Sequence, residues 1–125
     1  MSIVKVAAVQ MRSGTSPERN AADFEKLVRE AASKGAQYVQ TPEMTGALVR
    51  GKDELKAILK PEAEDLIARK GAELAKELGI YLHVGSTAIA RDDGKVANRG
   101  FIFAPSGEKI ASYDKIHMFD VDLDN

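Results

Sequence analysis

Ala36-Gln37-Tyr38-Val39-Gln40-Thr41-Pro42-Glu43 reads as a short strand stopped by a proline, with a carboxylate directly behind it. What flanks this stretch decides the fold. Upstream, Ser16-Pro17-Glu18 opens a helix with a capping hydroxyl, a proline at the first helical position and an acid in the first turn. Phe24, Leu27, Val28, Ala31 and Ala32 recur at helical spacing, and Gly35 behind Lys34 is a natural stop. Before that helix, Ile3 to Met11 is a mostly apolar run rich in β-branched residues, which predicts a strand buried on both faces. Downstream, Glu43 to Lys60 is irregular, with one or two helical turns expected over Asp53 to Leu59. Pro61 opens a stronger helix with Ala63, Leu66, Ile67, Leu74, Ala75 and Leu78 along one side and Gly79 behind it. Gly71 interrupts that pattern. Ile80 to Ala88 then reads as a third strand, in which Leu82 and Val84 alternate with Tyr81 and His83.

After a turn at Asp92-Asp93-Gly94, Gly100 to Ala104 and Lys109 to Tyr113 pair as a hairpin around Pro105-Ser106-Gly107. The order is β-α-β-α-β-β-β, an α/β fold. Short right-handed crossovers predict that the first three strands are parallel in one sheet with helices packed on it, and the hairpin makes that sheet mixed. The 125 residues suit one domain.

Charge and composition exclude several classes of function. Lys and Arg number 18 against 19 Asp and Glu, so the net charge is −1 with no basic stripe for nucleic acid. No apolar run is long enough to span a bilayer, and Met1 to Lys5 leads straight into a strand pattern, so the chain reads as cytoplasmic. There is no cysteine, which excludes disulfides, thiolate metal sites and a thiol nucleophile within these residues. Two histidines, His83 and His117, are too few and too isolated for a metal site.

Two charged residues stand where chemistry could occur. Glu43 follows a parallel strand, and open α/β sheets place ligand crevices just beyond such strand ends. Lys115 follows the last hairpin strand. Brought together, a carboxylate and an ammonium could serve as general base and oxyanion stabiliser. The alternative is a structural ion pair or two solvated side chains, and such pairs outnumber active sites. Met44 and Thr45 either line a substrate pocket or simply carry the chain away from its strand. Asp114 either holds Lys115 or faces solvent; His117 reads as a structural hydrogen-bonding residue, and His83 as a core or interface residue. A dinucleotide-binding reading fails, because the loop after the first strand lacks the glycine spacing that cradles a pyrophosphate.

Several segments, in order, resemble the nitrilase superfamily of carbon–nitrogen hydrolases. Val6-Ala7-Ala8-Val9-Gln10-Met11 is similar to its opening strand. Asn20, the helix after it and Ala31-Ala32 to Gly35-Ala36 resemble its asparagine-helix-alanine-glycine-alanine pattern. Thr41-Pro42-Glu43 resembles the element carrying its glutamate base, and Asn98-Arg99 its asparagine-led strand. Tyr113-Asp114-Lys115-Ile116-His117-Met118-Phe119-Asp120-Val121 resembles the segment carrying its lysine, in wording similar to the amidase-like branch.

The resemblance implies hydrolysis of a small amide by a Glu-Lys-Cys mechanism, with Glu43 as base, Lys115 as stabiliser of developing charge, and no cofactor or metal. In the family the cysteine lies some tens of residues beyond the lysine, whereas this sequence ends ten residues past Lys115 (125 − 115). Residues 1–125 then correspond to the N-terminal half of a hydrolase domain, truncated after the lysine motif. Ser112, Thr41 and Thr45 are poor substitutes, since an unactivated hydroxyl is a far weaker nucleophile than a thiol. The resemblance also implies half of an α-β-β-α sandwich, one sheet and one helix layer, with the other sheet face uncovered. Such a chain is expected to be marginal, to self-associate as a homo-oligomer, or to be completed by a complementing C-terminal half. Two other readings stay open: a non-catalytic fragment or interaction module, and an unrelated small α/β binding domain.

Overall fold

Ser16 starts the first helix as its sequence predicts, its hydroxyl accepting the Arg19 N–H at 3.3 Å with Pro17 in the first turn. This helix, α1 (Pro17–Ser33), lies between two parallel strands, β1 (Val6–Ala8) and β2 (Tyr38–Thr41), in a computed structural model that describes residues 3–115. A short helix, α2 (Lys52–Ile58), and a 3-10 turn at Glu62–Glu64 lead into α3 (Leu66–Leu78). Three strands complete the chain's described part: β3 (Tyr81–Ala90), β4 (Val96–Phe103) and β5 (Lys109–Asp114). They form one mixed sheet in the order β1-β2-β3-β4-β5, with β1, β2 and β3 parallel and the two later pairings antiparallel.

Two sequence expectations need correction. Pro61 does not begin the helix; it precedes the 3-10 turn, and α3 starts at Leu66. The start is set by Asp65, whose carboxylate accepts the Ala68 N–H at 2.9 Å and satisfies a donor that Pro61 could not. The first strand is shorter than its apolar run, and it is not buried on both faces: Val6 is 65% exposed. It forms one edge of the sheet, and its outer face has no layer over it among the described residues.

The core lies between the helices and one face of the sheet. Phe24 and Val28 of α1 and Ile67, Leu74 and Ala75 of α3 pack against Val39, Leu82, Val84, Phe101 and Phe103. Register makes this a single face, since Val39 pairs with Leu82, and Leu82 and Val84 pair with Phe103 and Phe101. Gly71, an apparent flaw in the α3 pattern, lies against Phe103, and a Cβ there would meet the ring at 2.9 Å. Phe24 is fully buried, so Phe24→Ala is expected to cost about 3–5 kcal/mol in a chemical-denaturation measurement.

The opposite face is formed by Val6, Tyr38, Gln40, Tyr81, His83, Ile102 and Tyr113. The described residues leave it largely open, with Tyr81 44% and Tyr113 60% exposed. His83 is half-buried there, its Nδ1 hydrogen-bonded to the Tyr38 hydroxyl at 2.7 Å, and partial burial holds its pKa below the ordinary value. No helix among the described residues is long and apolar enough to cross a membrane.

Candidate active site

Pro42 ends β2, and Met44 and Thr45, the two residues after Glu43, are fastened to β3 rather than left as a loose loop. The Met44 N–H donates to the Ser86 hydroxyl at 3.0 Å, and the Thr45 N–H donates to the Ser86 carbonyl at 2.9 Å. The Thr45 hydroxyl donates to the Pro42 carbonyl at 2.6 Å and lies 3.0 Å from the Thr41 hydroxyl. Met44 has a φ of 54°, a left-handed conformation uncommon outside glycine, and these bonds hold it there. Glu43 therefore stands on a fixed turn at the C-terminal end of a parallel strand.

This turn needs close backbone approach. A Cβ on Gly85 would lie 2.7 Å from the carbonyl carbon and oxygen of Pro42, and one on Gly100 would lie 2.9 Å from the Gly85 carbonyl. The β3–β4 register shifts between Val84 and Thr87, which places Gly85 and Ser86 in the irregularity. A glycine inside a strand pattern is a sequence sign of such an approach, and Gly85 carries it; nothing local to Ser86 marks its role.

Glu43 and Lys115, named from sequence as a candidate pair, meet: Lys115 Nζ lies 3.1 Å from Glu43 Oε1. Asn98 joins them. Its side-chain amide donates to Glu43 Oε1 at 3.0 Å, and its backbone carbonyl accepts the Lys115 N–H at 3.0 Å. The ionised carboxylate accepts only, so Nδ2 is the atom that faces it and Oδ1 points elsewhere. Asn98 is 2% exposed, and its Oδ1 has no partner among the described residues.

The Lys115 ammonium, then the Asn98 amide, hold the Glu43 carboxyl below the usual carboxylate range, against a smaller opposing effect of desolvation. Glu43 is thus ionised at neutral pH, a proton acceptor and not a donor. Its side chain is 56% exposed, so the pair is largely solvated among the described residues. Asn98→Ala is expected to raise the Glu43 carboxyl toward its ordinary value in an NMR titration. The same change should cost about 1–3 kcal/mol of stability, because a buried hydrogen-bonding group is lost.

The remaining candidates separate. Met44 lines an open cleft of about 490 Å3 beside Glu43, together with Met11, Arg12, Ser13 and Pro42. Thr45 is buried within the turn and does not line that cleft. Asp114 does not reach Lys115; its carboxylate is taken by Arg99. His117 lies outside the described residues. A more enclosed cavity of about 350 Å3 lies under α2, bounded by Leu55, Ile58, Ile67 and Thr87, but neither Glu43 nor Lys115 reaches it. Glu43 lines the 490 Å3 cleft and carries its ion pair with Lys115, which makes that cleft the better candidate for chemistry. Among the described residues no three His, Cys, Asp or Glu side chains converge as a metal site.

The carbon–nitrogen hydrolase family matches residues 5–125, and the chain belongs to that family. It is 32% identical to omega-amidase NIT2 of Homo sapiens over 123 residues, 98% of this chain and 44% of that protein. Omega-amidase NIT2-B of Xenopus laevis is 37% identical over 100 residues, 78% of this chain and 34% of that protein. The chain therefore spans less than half the length of the curated relatives it matches. In fold it is similar to the crystal structure of the C. elegans NITFHIT protein, with a TM-score of 0.76 at 23% identity over 95% of this chain and 30% of the other. An amidase of the nitrilase superfamily from Nesterenkonia AN1 gives 0.77 at 20% identity over 97% and 46%.

Proposed function

We propose that this chain contributes the general base and the cationic stabiliser of a small-amide hydrolase, Glu43 and Lys115, while the nucleophilic thiol comes from outside these 125 residues. The observation that carries the reading is the Lys115 Nζ to Glu43 Oε1 contact of 3.1 Å at the end of a parallel strand. In the proposed reaction Glu43 removes the proton from a cysteine thiol, and the thiolate attacks the amide carbon. Lys115 stabilises the oxyanion of the tetrahedral intermediate. Glu43 returns the proton to the leaving nitrogen, ammonia departs and a thioester remains. Water, deprotonated by Glu43, then hydrolyses the thioester to the acid and the free thiol. Met44 forms part of the substrate wall.

Similarity to proteins named omega-amidases supports the reading of the substrate as a small amide that carries a carboxylate. The test is ammonia release from monoamides of short dicarboxylic acids by the intact protein that carries this chain. Turnover that depends on Glu43 is expected. No release across such a panel would favour the second reading, an interaction module that keeps the fold without activity. The open sheet face, with Val6, Tyr81 and Tyr113 exposed, is the observation that favours that alternative. On either reading the 125-residue chain by itself is expected to self-associate, and sedimentation velocity at rising concentration checks this. A monomer throughout would contradict it.

A further inference from the structure

Two adjacent residues of β4 meet two adjacent residues at the end of β5. Arg99 is directly opposite Asp114, and the Lys115 N–H donates to the Asn98 carbonyl at 3.0 Å. Neighbouring strand residues point to opposite faces, so the two dipeptides divide the work. Asn98 and Lys115 serve the Glu43 side, while Arg99 and Asp114 turn toward the helix layer. There the guanidinium grips both oxygens of Asp114, from Nε at 2.5 Å and from Nη2 at 3.0 Å. Its remaining Nη1 donates to Glu62 Oε1 at 3.2 Å, and Glu62 Oε2 takes Lys109 Nζ at 2.7 Å. One arginine thus ties the last residue of β5 to β4 and to the 3-10 turn ahead of α3.

The tie matters because, among the described residues, β5 pairs only with β4, is exposed from Lys109 to Tyr113, and has an irregular ladder between Ile102 and Phe103. The register of β5 against β4 therefore sets the face that Lys115 takes, and a slip of one residue would turn it to the wrong face. We infer that Arg99 is a positioning residue for Lys115, acting through its bidentate grip on Asp114. The inference rests on the reading of Glu43 and Lys115 as the working pair. The planar fork fixes both distance and angle, which a lysine at this position could not do. The Arg99 bond also holds the Asp114 carboxyl below its usual range, so the clamp stays charged at neutral pH.

The test uses the intact protein with Arg99→Met, Asp114→Asn, their double variant, Arg99→Lys, and Lys115→Met as the calibrating change. Carbon NMR of the Glu43 carboxyl gives its titration, and amide turnover gives kcat and KM separately. Lys115→Met should move the Glu43 midpoint upward. Arg99→Met and Asp114→Asn should each move it the same way and lower kcat roughly 10- to 100-fold with KM little changed, as expected for a misplaced catalytic group. The double variant should be no worse than either single one, because the two residues act as a unit. Arg99→Lys should fall between wild type and Arg99→Met. If Arg99→Met does not fold, Asp114→Asn, which keeps its shape, decides by the same readouts. A Glu43 midpoint unmoved by the clamp variants but moved by Lys115→Met would overturn the inference while leaving the Glu43–Lys115 pair intact. A midpoint unmoved even by Lys115→Met would remove the pair itself, and the inference with it.

Discussion

Glu43→Gln is expected to lower amide turnover by the intact protein roughly 10²–10⁴-fold, the range of a lost general base. Glutamine keeps the shape of the side chain, and its oxygen can still accept the Asn98 amide that now reaches Glu43 Oε1. What it cannot do is take a proton. The side chain is more than half exposed, so stability should change little. Loss of rate without loss of fold is thus the expected pair of results. Lys115→Ala should lose turnover to a similar degree, because in the proposed reaction the cation that pairs with Glu43 also stabilises the oxyanion.

The pH dependence has a definite sign. Lys115 and Asn98 depress the Glu43 pKa, so the carboxylate persists to lower pH than an ordinary glutamate would. The acid limb of the rate profile that Glu43 governs should therefore lie below the usual glutamate range, and Lys115→Ala should shift that limb upward. The fold is linked in the same direction: the depressed pKa adds stability above the unfolded-state value, and that stability is lost as pH falls through the folded one. At an exposed pair this contribution is small.

Gly85→Ala is expected to damage both stability and rate. The added Cβ would press on the Pro42 carbonyl at 2.7 Å, a backbone contact that no side-chain rotation can relieve. Overpacking of this kind costs about 1–3 kcal/mol, read from the shift of a denaturation midpoint. The Pro42–Glu43 turn would also have to move away from Ser86, which now holds Met44 and Thr45. A displacement of about 1 Å at Glu43 can cost roughly 10²-fold in turnover. Gly14→Ala is the matched control, because a Cβ there meets nothing within 4 Å.

Much of this was legible in sequence where the signal is local. Ser16-Pro17 marked the start of α1, and Pro42 marked the end of β2 with Glu43 behind it. The alternation of Leu82 and Val84 with Tyr81 and His83 separated the two faces of β3 correctly. Signals that depend on a partner elsewhere in the chain were not legible. Asp114 looked free to hold its neighbour Lys115, but its partner is Arg99, across the β4–β5 hairpin. Ser86 carries no mark of its bonds to the Glu43 turn, and Gly71 looked like a defect until Phe103 lay against it. The Ile3 to Met11 run misled differently. Apolar patterning reports burial without saying what provides it, and the described residues cover only one face of the sheet.

The central claim is that Glu43 and Lys115 act on a thiol that these 125 residues do not contain. The most direct measurement is denaturing intact-mass spectrometry of the native protein, quenched in acid during turnover of a small amide. The account predicts a polypeptide heavier than 13.5 kDa, or a second chain, that carries an acyl group on a cysteine and loses that adduct in Glu43→Gln. A single cysteine-free species of 13.5 kDa that turns over the amide would contradict it.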